Sequence, residues 1–199
     1  PFKLSRIVSS DMDRAVETAD IISAELPGVP RVTDPMLCEG TPCRNIPGSE
    51  RTDNAGTLWE DSARIEAAYR RCCHREVDHK RMWAKQQREE RRAKKAAKAA
   101  AKEAGVSEAA AVQVAAAPAI EALGTEPEVE EHVYELVVCH MNVIRFFLCR
   151  ALQVPPEAWL RFGGFNCGIT ELVFYPDGRT QVIRFGDQGH LTWQQTTFH

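Results

Sequence analysis

The sequence has no long hydrophobic run, no large excess of one charge sign and no cysteine framework. No apolar stretch approaches the roughly 20 residues that a spanning helix needs, which predicts a chain that does not cross a bilayer. Lys and Arg number 25 against 28 Asp and Glu, a formal net charge of -3. No global field therefore draws the chain to nucleic acid or to an anionic membrane, and any electrostatic argument has to be local. The 7 cysteines are odd in number and lack framework spacing, which suits a reducing compartment better than a disulfide scaffold. An initiator methionine is absent too. Pro1 comes first, and residues 3–9, KLSRIVS, already read as a buried strand with no leader before them. This predicts further chain upstream, where a targeting or anchoring segment would lie.

What is present, in 199 residues, is enough for one core of ordinary size. The strand at 3–9 runs into Ser9-Ser10-Asp11, three candidate N-caps. The stretch MDRAVETADIISAEL then places Ala15, Ala19, Ile22 and Leu26 at helical spacing until Pro27-Gly28 stops it. A short extended piece, RVTDPMLCEG, leads into an irregular loop, TPCRNIPGSERTDNAGT. Helix resumes near Leu58, with Ile65, Ala68 and Tyr69 on its apolar face. From Lys80 to Glu103, 10 basic residues stand among alanines, which predicts a solvated helix with little to bury. From Gly105 to Glu131 there is no Lys or Arg, and the Ala, Pro and Glu content reads as an acidic linker. Residues 82–131 are thus expected to interrupt one domain made of 1–81 and 132–199. Core-like pattern returns as VYELVVCH, a buried strand, NVIRFFLCRAL, an apolar-faced helix, and PPEAWLRF, a helix start with proline. Two further strands flank the turn Pro176-Asp177-Gly178. Strands alternating with helices predict an α/β layer architecture with a mostly parallel sheet, closed by a C-terminal hairpin.

Open α/β sheets bind ligands beyond the carboxyl ends of their strands, where helix N-termini favour anions. His140 sits at such a junction; it either serves an anion site there or simply packs at the helix entrance. Arg14 falls in the first turn of a helix, where a cation opposes the macrodipole and a bound anion would relieve the cost; the alternative is a plain surface arginine. Glu39, just before Gly40, is an acid that could supply a proton to a leaving oxygen if its pKa were raised. Together these would form a phosphoryl-transfer pocket of charge clamp, positive stabiliser and general acid, without a nucleophile.

The segments IVSSDMDRAVETADIISAELPGV, LCEGTP, ARIEAAYRRCCHR, CHMNVIRFFLCRALQVPPEAWLRF and NCGITELVFYPDGRTQVIRFGDQGH resemble the mitochondrial serine/threonine protein phosphatases of the phosphoglycerate mutase family, within the histidine phosphatase superfamily. The resemblance implies that family's three-layer fold, a parallel sheet flanked by helices. It places Arg14 at the second phosphate-binding arginine, His140 at the second pocket histidine, which binds and stabilises the phosphoryl group, and Glu39 at the general acid. It implies transfer through a phosphohistidine resolved by water, with no metal or other cofactor. It also implies phosphoprotein substrates, a mitochondrial location, membrane attachment only through an upstream anchor, and homo-oligomers built with an upstream motif and the tail FGDQGHLTWQQTTFH.

The departure concerns the nucleophile, which in that family lies in an Arg-His-Gly motif ending the first strand. No such triplet occurs in the sequence, and His74, His79, His132 and His190 lack its context. The expectation is a chain that lacks the first strand and that, by itself, is inactive and poorly stable. Gly168, in NCGIT, also departs, because relatives often carry serine there. Three readings follow: a protein phosphatase, a phosphatase or mutase of small metabolites, or a silent phosphate-binding module that recruits partners through 82–131.

Other signals are weaker. CCHREVDH gathers Cys72, Cys73, His74 and His79, but adjacent cysteines on a helix point apart and no second ligand pair follows, which argues against zinc. Cys38 and Cys43 read as small buried hydrophobes. The basic segment has only Trp83 as an aromatic, which favours a spacer helix over a nucleic-acid or membrane surface.

Overall fold

A computed structural model of the chain describes residues 3–44, 46, 55–73, 79–104 and 132–198. It divides into two compact units, Pro1–Arg75 with His132–His199, and Glu76–Glu131. The expected acidic linker at 105–131, most of the loop at 47–54, and His74 lie outside the described residues.

In the first unit, β1 (Lys3–Ser9) is the centre of a three-stranded parallel sheet, with β2 (Arg31–Thr33) on one side and β3 (Val133–Val138) on the other. The connection from β1 to β2 is α1 (Asp13–Glu25). On the other side, β3 leads to α4 (Met141–Leu152). The right-handed β1–α1–β2 crossover puts α1 on one face of the sheet, and α4 packs on the other. The alternation of side chains along β1 agrees. Val8 joins a buried cluster with Leu37, with Ile65, Ala68 and Tyr69 of α2 (Ala55–Cys72), and with Val143, Phe146, Phe147 and Ala151 of α4. Ile7, on the opposite pleat, is fully buried, as is Ala19 of α1, with Ala15 close behind. The architecture is α/β, a parallel sheet flanked by helices.

Two aromatic edges organise the α2 and α4 layer. Tyr69 and Phe147 meet edge to face with centroids 5.5 Å apart. Trp159 is 2% exposed and donates its indole N–H to the Cys43 carbonyl at 3.1 Å, which ties the start of the loop to the helix bundle. The sequence PPEAWLR makes a short 3-10 helix, Pro156–Arg161, with proline at its start as the sequence suggested.

The C-terminal strands β4 (Ile169–Phe174) and β5 (Thr180–Asp187) pair antiparallel as a two-stranded sheet of their own and do not extend the parallel sheet among the described residues. Their turn is closed by Gly178 N–H to Tyr175 C=O at 2.9 Å, with Gly178 at φ +86, the left-handed region that glycine enters most easily. Near the hairpin's other end Gly168 faces Gly186. A Cβ on Gly168 would sit 3.1 Å from the Gly186 Cα, so a side chain there would need this backbone to give by a few tenths of an ångström.

In the second unit, α3 (His79–Ala104) is a long helix whose described side chains are mostly exposed, as its lysine, arginine and alanine content requires. No helix among the described residues is long and apolar enough to cross a membrane.

Candidate active site at the carboxyl ends of β1 and β3

The chain leaves β1 through α1 toward one face and leaves β3 through α4 toward the other. Such a divergence opens a crevice beyond the strand ends, the usual place for a ligand in this architecture. Register decides which side chains meet there. Ser9 pairs with Val138, and the ladder continues one step further, with Ser10 N–H donating to Val138 C=O at 2.9 Å. Just beyond these strand ends, the Ser10 Oγ and His140 Nε2 atoms lie 2.9 Å apart, both residues buried.

This corrects the reading of the first helix start. Ser9, Ser10 and Asp11 do not cap α1; its N-cap is Met12, with no side-chain bond. The Ser10 hydroxyl accepts the Met12 N–H at 3.3 Å and is otherwise turned toward His140, so its hydrogen bonds serve the turn and the ring, not the helix end. The Ser9 hydroxyl is buried without a hydrogen-bond partner.

His140 stands at the N-cap of α4 with extended backbone, and its carbonyl takes the Ile144 N–H at 3.0 Å. The open amides of the α4 first turn lie immediately beside the imidazole, which favours an anion there. Arg14 occupies the first turn of α1, exposed, on the helix that rises from the same strand end.

Glu39 does not follow its strand directly. After β2 the chain makes a 3-10 turn, Pro35–Leu37, started by Asp34, whose carboxylate accepts the Met36 N–H at 3.0 Å. The segment is then held by a set of contacts that sequence reading missed. From α2, Arg64 donates to the carbonyls of Met36, Cys38 and Glu39 at 3.0, 2.7 and 3.2 Å. Asp61 pairs with Arg64 at 2.7 Å and accepts the Thr41 N–H at 2.9 Å. The approach is so close that a Cβ on Gly40 would fall 2.5 Å from the Asp61 carboxyl carbon. From α4, Asn142 donates to the Gly40 carbonyl at 3.2 Å, and Arg145 in turn donates to the Asn142 side-chain oxygen at 3.2 Å and to the Phe162 carbonyl at 2.6 Å. The Glu39 N–H meets the Met12 sulfur at 3.4 Å. The glutamate turn is thereby tied to the starts of both α1 and α4, which bring Arg14 and His140.

Arg145 is 7% exposed, and burial pulls its guanidinium below the ordinary arginine value while the Glu39 carboxylate opposes that shift. Signals for these residues were present in the sequence, in the Asp61 to Arg64 and Asn142 to Arg145 spacings of three along helices, but such spacings are common on solvated faces.

Known proteins that the chain resembles share its fold. The sequence profile of the histidine phosphatase superfamily (branch 1) matches residues 75–188, a span that includes His140. The chain is 38% identical over 190 residues to the mouse protein named serine/threonine-protein phosphatase PGAM5, mitochondrial, covering 95% of this chain and 49% of that protein. The human protein of the same name is 37% identical over 190 residues. The chain thus spans about half the length of the curated relatives it matches. A crystal structure of a phosphoglycerate mutase from Plasmodium falciparum superposes with a TM-score of 0.52 at 31% identity, covering 99% of this chain and 79% of that one. With its parallel sheet, its strand-end histidine and these similarities, the chain belongs to the histidine phosphatase superfamily.

Proposed function

We propose that these residues form the phosphate-binding and proton-transfer part of a mitochondrial phosphoprotein phosphatase. The observation that carries the reading is the convergence at one crevice of His140, the α4 amides and the Glu39 turn, with Arg14 on the neighbouring helix start. A dianionic phosphate is the ligand such a set suits: a guanidinium, an imidazolium and helix amides supply positive charge and donors.

In this reading a nucleophilic histidine attacks phosphorus, the bond from phosphorus to the serine or threonine oxygen breaks, and the Glu39 carboxyl gives its proton to that oxygen. Water then attacks the phosphohistidine, Glu39 takes up the water proton, and inorganic phosphate leaves. His140 and Arg14 stabilise the phosphoryl oxygens in both steps. The nucleophile would come from an Arg-His-Gly motif, which is not among the 199 residues. These residues alone are therefore expected to form no phosphohistidine. Phosphoproteins as substrates, and assembly into homo-oligomers, belong to the same proposal.

The test is turnover by a polypeptide that carries the Arg-His-Gly segment ahead of these residues, offered a phosphothreonine peptide and phosphoglycerate side by side. Preference for the peptide supports the reading. Preference for phosphoglycerate would move it to the small-metabolite branch, to which the Plasmodium relative's name points, and binding without turnover would make it a silent phosphate-binding module.

A further inference from the structure

The Ser10 hydroxyl has no solvent access and three neighbours. The Met12 N–H occupies one of its lone pairs whatever the hydroxyl proton does. Its proton then has two acceptors within reach, His140 Nε2 at 2.9 Å and Cys38 Sγ at 3.9 Å. The Cys38 thiol donates its own proton to the Asp11 carboxylate, so it has none to offer Ser10. Burial first, and that hydrogen bond second, push the thiol up, which keeps it protonated at neutral pH.

A buried hydroxyl proton is costly to leave without an acceptor, and a ring nitrogen at 2.9 Å is a far better acceptor than sulfur at 3.9 Å. With Ser10 donating to Nε2, the proton of the neutral ring must reside on Nδ1. When the ring is protonated, Nε2–H becomes a donor, and the hydroxyl can accept from it by turning its own proton to Cys38 Sγ. The imidazolium is then accommodated without movement of the ring.

We propose that Ser10 is the positioning residue of His140, holding the neutral imidazole in the Nδ1–H tautomer, with Cys38 Sγ as the alternative acceptor that lets the same hydroxyl serve the imidazolium. The proposal rests on the phosphatase reading only for its purpose, since the tautomer is a property of the chain itself.

The experiment is long-range proton to nitrogen correlation on the 199-residue chain labelled with 15N in histidine, at a pH where His140 is neutral. The expected result is Nδ1 protonated and Nε2 unprotonated in the native chain. Ser10→Ala is expected to shift the ring toward Nε2–H, the form that predominates in free histidine, while Ser10→Thr, which restores a hydroxyl, keeps the native signature. A neutral His140 with its proton on Nε2 would overturn the proposal, as would an unchanged signature in Ser10→Ala with the α4 amide signals in place. Should Ser10→Ala fail to fold, the native tautomer still decides. Because the ring is read directly, failure here is distinguishable from failure of phosphopeptide turnover.

Discussion

At Gly40 the site leaves no room for a side chain. Its missing Cβ leaves room for the Asp61 carboxylate and the Arg64 guanidinium, which would lie 2.5 and 2.7 Å from a methyl there. Gly40→Ala must displace two side chains that already make five hydrogen bonds to the segment and to each other. The expected cost is about 1–3 kcal/mol in urea denaturation, the range for overpacking a fixed contact. The thiols offer a second test at this scale. Burial pushes Cys43 and Cys139 up to about 12 and Cys72 up to about 11, whereas Cys167 is exposed. Maleimide at neutral pH is therefore expected to modify Cys167 well before those three, as peptide mapping by mass spectrometry would read. Glu39, Arg14 and His140 could be proposed from the sequence because each sits in a short motif that resembles the family's. Ser10 was recognisable only as a helix cap, because its partner lies 130 residues away and only strand register brings the two together.

At the scale of elements, α4 carries the site. It is buried on almost every side, places His140 at its N-terminus and sends Asn142 and Arg145 back to the glutamate turn and to Phe162. Arg145→Ala leaves the Phe162 carbonyl without its donor and releases Asn142, for an expected loss of about 2–4 kcal/mol. Its C-terminus holds a reserve of stability. Gln153 closes the helix at φ 60, with its N–H on the Arg150 and Cys149 carbonyls, a conformation that glycine adopts without a Cβ penalty. Gln153→Gly is expected to raise stability by about 1 kcal/mol, seen as a higher midpoint with an unchanged slope in urea. Most helices and strands of the first unit were legible from periodicity, because they have an apolar face, whereas α3 was legible from its lysine, arginine and alanine content. The 3-10 turns at Pro35–Leu37 and Pro156–Arg161 were not, since a proline signals a start without saying how tightly the next turn winds.

At the scale of the whole molecule, the partly buried thiols of Cys43, Cys72 and Cys139 set an alkaline limit. A thiol whose value is raised in the folded state holds its proton where the unfolded chain has lost it. Stability from Cys43, Cys72 and Cys139 is thus fully present below about pH 9 and lost as pH rises toward their folded values. Denaturation midpoints are expected to hold near neutrality and to fall progressively above pH 9; a rise there would contradict the burial described. The fold class was legible because strands and helices alternate. That the C-terminal hairpin pairs only with itself among the described residues was not, because an apolar strand pattern does not say which edge it will join. The central claim is that His140 and Arg14 act on one phosphoryl group. The most direct measurement is phosphothreonine-peptide turnover by a polypeptide bearing the Arg-His-Gly segment ahead of these residues, beside matched His140→Ala and Arg14→Ala variants. The account predicts that each variant loses about 100-fold or more in kcat; near-native turnover in either, with the fold intact, would contradict it.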